Sequence, residues 1–211
     1  MKIFQEDSVF TQTMTRGFDM ILLNILFIIC CLPVVTIGAS CVALHTVSLK
    51  YAQGLEPYVI KEFFIAFRKE FRQSTIVWLL MLVIGAFLYV DTAIALNGGA
   101  GGKAMQMLLF CLDICCLFVG IYIFPLMARY QNKIGRHLKN AALLAIREFK
   151  KTLLLAAIII IWLLIGMYAP PAFMLAWLIL NPLIAFSARA VFQDRILLKV
   201  FENNDSNTDE I

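Results

Sequence analysis

Residues Ile76 to Leu96 read IVWLLMLVIGAFLYVDTAIAL, 21 residues in which Asp91 is the one charge. A helix of about 20 apolar residues matches the roughly 30 Å hydrocarbon layer of a bilayer. That layer offers no water to the backbone, so a spanning stretch must satisfy its own N–H and C=O groups as a helix. Comparable stretches recur, and the spans expected are residues 18–33, 75–96, 104–128, 152–168 and 172–189. Pro170 and Pro171 leave a connection so short that the last two must form an antiparallel hairpin. The chain is 62% hydrophobic and 15% charged over 211 residues. A soluble domain averages roughly 45–50% and 25%, and a chain of this length cannot hide the excess in a core. The expected fold class is all-α, an integral membrane helical bundle of about five spans in one domain, residues 1–201, with the bilayer as its first partner.

The basic residues orient this bundle. With five spans, only Lys2, Arg16 and Lys103 of the 18 Lys and Arg residues fall on one side. The positive-inside rule then places the N-terminus outside and the C-terminus in the cytoplasm. Two cytoplasmic segments are expected as amphipathic interfacial helices, residues 59–73 and 138–151. In the first, VIKEFFIAFRKEFRQ, the aromatic residues Phe63, Phe64, Phe67 and Phe71 stand among Arg68 and Arg72. Its plain reading is a topology anchor, and its sharper reading is a docking face for another protein. Both segments end alike, EFRQST and EFKKT, and each enters a span, which suggests a duplicated unit. Residues 202–211 are short, acidic and expected to be disordered.

Residues 28–44, IICCLPVVTIGASCVAL, interrupt the first apolar run. Acidic Glu6, Asp7 and Asp19 ahead of it argue against a signal peptide, which needs a basic leading region. The preferred reading is a cytoplasmic corner. Pro33 stops the first span, Gly38 permits a tight turn, and Thr36 and Ser40 cap the next helix. The alternative is a half-helix after Pro33 that returns through the membrane and puts the N-terminus inside.

Candidate chemistry is sparse. The six cysteines lie inside apolar stretches and form no C-x-x-C pair, so reduced structural thiols are expected. His45 and His137 are isolated in sequence, and NGGAGGKA at Asn97–Ala104 lacks the first glycine and the hydroxyl residue of a phosphate loop. No catalytic residue, metal or cofactor is therefore assigned, and the charge pattern gives no nucleic-acid face. Ionisable and amide groups inside spans are costly and mark a candidate polar site: Asp113, Asp91, Asn24 and Asn181. Asp113, roughly 13 Å into its span, would carry a proton or cation, facing Asn24 or Asn181, if the chain were a small secondary transporter or channel.

LPVVTIGAS at Leu32–Ser40, FRQST at Phe71–Thr75 and FPLMARY at Phe124–Tyr130 together resemble the YesL-like family, small multi-pass bacterial membrane proteins of unknown molecular function. The resemblance runs from about Phe4 to Phe201 and implies the bacterial cytoplasmic membrane. It also implies an accessory role in carbohydrate uptake or sensing, with a carbohydrate transporter or membrane sensor as partner. The expected function is thus a non-enzymatic accessory protein working through its basic face.

Overall fold

A computed structural model describes residues 9–96, 99–168 and 186–208. Seven α-helices follow one another there: α1 Val9–Cys31, α2 Ile37–Ala52, α3 Val59–Leu96, α4 Gly99–Arg129, α5 Ile134–Arg147, α6 Phe149–Tyr168 and α7 Phe186–Thr208. Among the described residues four helices are long and apolar enough to cross a membrane, with windows Met14–Cys31, Val34–Ala52, Val59–Asp91 and Met107–Arg129. The protein is therefore an all-helical membrane bundle. The expected span 152–168 falls within α6, and most of the expected span 172–189 lies outside the described residues.

Two local readings change. Residues 59–73 do not form a separate interfacial helix: α3 runs unbroken for 38 residues, about 57 Å. EFRQST contains neither Gly nor Pro, and the Ser74 hydroxyl donates within the helix to Glu70 O at 2.6 Å. The second basic segment does break. Glu148, at φ −103° and ψ 40°, separates α5 from α6. The Thr152 hydroxyl donates to Glu148 O at 3.1 Å, matching the Ser74 bond in the first segment. It also lies 3.1 Å from Ala145 O across the break. Finally, α7 carries on to Thr208, so residues 202–208 of the expected disordered tail are helical. No Gly or Pro stands there to stop a helix that Leu197, Val200 and Phe201 anchor in the core.

The stretch after Pro33 is the largest departure. Pro33 to Thr36 is a corner: Pro33 is extended (φ −77°, ψ 122°) and a short 3-10 turn, Val34–Thr36, follows. Thr36 does not cap α2 with its side chain. Its hydroxyl turns back to Cys30 O at 2.5 Å and Pro33 O at 2.7 Å. Ser40 bonds Thr36 O at 3.0 Å and caps nothing. Beyond the corner the chain is a full helix, α2, in which ten of the 16 residues are buried. Gly38 is helical and makes no turn. A Cβ there would lie 2.5 Å from Ser74 O and 2.7 Å from Trp78 Cβ, so its role is to let α2 and α3 approach. The left-handed glycine is Gly54 (φ 80°). There the bonds from Leu55 N to Lys50 O and from Gly54 N to Tyr51 O, both 3.0 Å, close α2 as a Schellman motif.

Pairs along the helices fix their directions. Arg16 meets Glu56 at 3.5 Å, and Trp78 Nε1 donates to Val34 O at 2.8 Å. Thus α1 runs parallel to the first half of α3. Between them α2 returns antiparallel, with Lys50 on Glu62 at 2.8 Å and Gly38 beside Ser74. Gln73 Nε2 donates to Asn132 O at 2.6 Å, and Trp78 stacks near Phe124 with centroids 6.5 Å apart, so α4 is antiparallel to α3. The start of α1, the Lys50–Arg72 segment and Arg129 consequently share one end of the bundle. Reading Pro33 to Ser40 as a corner into the basic segment left α2 uncounted as a return helix.

The core lies towards this basic end and is shared by two clusters. Val42 and Leu49 of α2 join α4, α5, α6 and α7, while Ala43, Leu44, Val47 and Tyr51 join α1, α3 and α7. The far part of the α3–α4 hairpin buries Leu88 against Leu109 and exposes Val83, Phe87, Met107 and Phe110, the pattern of a lipid-facing surface. Since α2 belongs to both clusters, forcing it away from α3 is expected to loosen the whole fold. Gly38→Ala should destabilise the detergent-solubilised protein by about 1–3 kcal/mol, the usual cost of overpacking, despite Ala's better helix propensity. Unfolding by SDS titration measures this, and an unchanged midpoint would contradict the close-approach role.

Candidate functional site: a buried polar seam and a basic outer face

The four polar residues expected inside spans do not come together. Asn24 Oδ1 accepts from Ser187 N at 2.8 Å, in a seam where α1 meets α7 near the basic end. Asp113 instead lines an apolar groove of about 570 Å³ between α3 and α4, among Leu80, Ile84, Leu88 and Leu117. Asp91 lies further along α3 and is half-buried. Asn181 lies outside the described residues. Asp113 therefore does not face Asn24, and its groove is lined otherwise by apolar, glycine and cysteine side chains.

The polar groups that do converge were invisible to spacing in the sequence. His45 Nδ1 lies 3.0 Å from both Oδ atoms of Asp194, joining α2 to α7 across 149 residues. Asp194 is 0% exposed and His45 12% exposed at the side chain. Burial pushes the Asp194 carboxyl above its ordinary range, and the neighbouring imidazole partly reverses this. Around the pair, Tyr51 OH donates to Asp19 Oδ2 at 2.7 Å and Gln193 Nε2 to Ile121 O at 3.0 Å. Ser187 Oγ donates to Met20 O at 3.0 Å. Asn24 Nδ2 and Ser48 Oγ are buried without a partner among the described residues. Each helix of the seam presents its polar group towards a neighbouring helix, where hydrogen bonding replaces the water that burial removes. Two further signals were present in the sequence: the small-residue run Gly38–Ala43, which marks a close-packed helix, and a histidine within an apolar helix.

His137 is likewise buried. Its Nε2 accepts from Asn132 N at 3.2 Å, which assigns the proton to Nδ1, a nitrogen with no partner among the described residues. Desolvation lowers its pKa below the ordinary histidine value. Among the described residues no group of three metal-ligating side chains exists.

The proposed docking residues separate by burial. Phe63 is fully buried against α1 and α2, so it cannot belong to an outer face. The reason lies in the wheel: its neighbours at this level are two helices rather than solvent. Phe64, Arg68, Phe71 and Arg72 are exposed, and Phe67 is intermediate. The rings form a ladder from core to surface. Phe63 stacks on Phe67 with centroids 6.2 Å apart, and Phe67 lies 5.5 Å from Phe71. The outer aromatics are thus held by a buried one.

Residues 20–92 match the family described as "Protein of unknown function, DUF624". The chain is 29% identical over 134 residues to "Uncharacterized protein YesL" of Bacillus subtilis (strain 168). That alignment covers 63% of this chain and 63% of the relative's length. No solved structure matches.

Removing either member of the buried pair strands the other. His45→Leu and Asp194→Leu are each expected to cost about 3–5 kcal/mol, with the double variant less destabilised than their sum. An SDS-titration double-mutant cycle reads this, and additive losses would mean that the pair does not couple α2 to α7.

Proposed function

We propose that this chain, similar over part of its length to a family of unknown function, is a non-enzymatic membrane protein whose basic end receives another protein. The observation that carries this reading is the exposed face of α3. Phe64, Arg68, Phe71 and Arg72 recur at i, i+4, i+7 and i+8 on one side of an unbroken helix. Aromatic and arginine side chains are the residues that most often anchor an interface. Here the aromatic ladder reaching back to Phe63 lowers the entropy lost on ordering them. The resemblance supplies the class of partner: a carbohydrate transporter subunit or a membrane sensor, for which the chain acts as an accessory.

The same reading orients the protein. With α2 counted as a return helix, Arg16 joins the basic end, and Lys103, near the start of α4, stands at the other. The positive-inside rule then supports a cytoplasmic N-terminus. Exposed Leu32, Val34 and Val35 at the corner suit a hairpin tip in lipid better than one in water.

Two experiments test these statements. Crosslinking in native membranes is expected to recover a transporter or sensor subunit. Phe64→Asp with Phe71→Asp should reduce its yield at least tenfold, while Asp113→Asn leaves it unchanged. Uptake into liposomes by the purified chain alone, abolished by Asp113→Asn, would instead establish the transporter. An N-terminal tag is expected to be protected in intact cells and protease-accessible in inverted vesicles; the reverse pattern would restore an external N-terminus.

A further inference from the structure

We propose that the outer face of α5 binds the anionic phospholipid headgroups of the membrane in which the chain itself sits. The inner side of this helix is packed, with His137, Ala141, Leu144 and Ala145 buried. Its other side turns outward: Ile146 is 75% exposed, and Leu143 is exposed beside it. Arg136, Lys139 and Arg147 are exposed on the same side, at i, i+3 and i+11 with Leu143 and Ile146 at i+7 and i+10. The helix IGRHLKNAALLAIR contains no acidic residue. The next residue, Glu148, is engaged by Lys151 at 3.0 Å.

Connectivity puts this face at the membrane surface. The chain leaves the apolar α4 at Arg129, forms α5, and enters the apolar α6 at Phe149. Exposed Phe149, Leu153 and Leu154 carry the apolar surface of Ile146 directly into α6. Apolar side chains alone would call for hydrocarbon, and cations alone for water. Interleaved, they fit the layer where acyl chains meet phosphates. Leu143 and Ile146 reach down, and the cations lie at headgroup level with their stems along the apolar surface. The positive, acid-free face complements anionic phospholipid over zwitterionic phospholipid. This assignment is independent of the α3 docking face.

Native mass spectrometry of the delipidated full chain, titrated with phosphatidylglycerol or phosphatidylcholine, tests it. The native chain is expected to prefer phosphatidylglycerol. Arg136→Gln with Lys139→Gln should weaken that binding about tenfold or more, with unchanged helix content by circular dichroism. Lys61→Gln with Lys69→Gln, an equal loss of charge on α3, should leave it within twofold. An equal loss in both double variants would reduce the effect to net charge and overturn the proposal. Equal binding of the two lipids, with an acidic protein crosslinking through Lys139, would assign the face to a protein partner and also overturn it.

Discussion

The burial of α2 is the constraint on which the rest depends. A helix of 16 residues with a histidine, a lysine and several hydroxyl groups is a poor solitary span. It is stable here because four helices surround it and most of its polar groups, His45 and Lys50 among them, meet partners. Close approach is possible because Gly38 presents no Cβ to Ser74 and Trp78. Both hydrophobic clusters take residues from α2, so the packing of α1 and α3 on one side and of α4 and α7 on the other is tied through it. The His45–Asp194 pair strengthens the same junction. A pair so enclosed adds little by its mere presence, but disrupting it leaves a buried charge or donor unmatched.

With α2 in place, the molecule divides along its length. At one end, parts of seven helices pack a core, bury polar groups and carry nearly all the cationic residues. At the other, the α3–α4 hairpin offers mostly apolar side chains outward. The continuous α3 links the two regions. Its basic first half and apolar second half belong to one unbroken helix.

How legible the fold was depended on which forces were local. Apolar runs such as Ile76–Leu96 declared themselves because the bilayer imposes length and hydrophobicity on each segment separately. The matched endings EFRQST and EFKKT also proved informative: Ser74 and Thr152 are both buried and both bond the carbonyl of a preceding glutamate. Yet one segment continues as a helix and the other breaks, a difference that neighbouring packing decides. Residues 37–52 were not counted as a return helix because a helix enclosed by protein needs no lipid-facing stripe, so its small and polar residues do not mark it as a span. Phe63 and Phe64 are adjacent in sequence and equally aromatic, and only the positions of α1 and α2 bury one and expose the other.

By itself, the sequence determined that this chain is a helical membrane protein and roughly where its long apolar helices run. These follow from solvation, which acts on each stretch through its own composition. Tertiary structure decided the direction of α1, the burial of α2, the meeting of His45 with Asp194 and the separation of Asn24 from Asp113. Those depend on which helix faces which, and contacts between residues 149 positions apart leave no periodic trace in the chain.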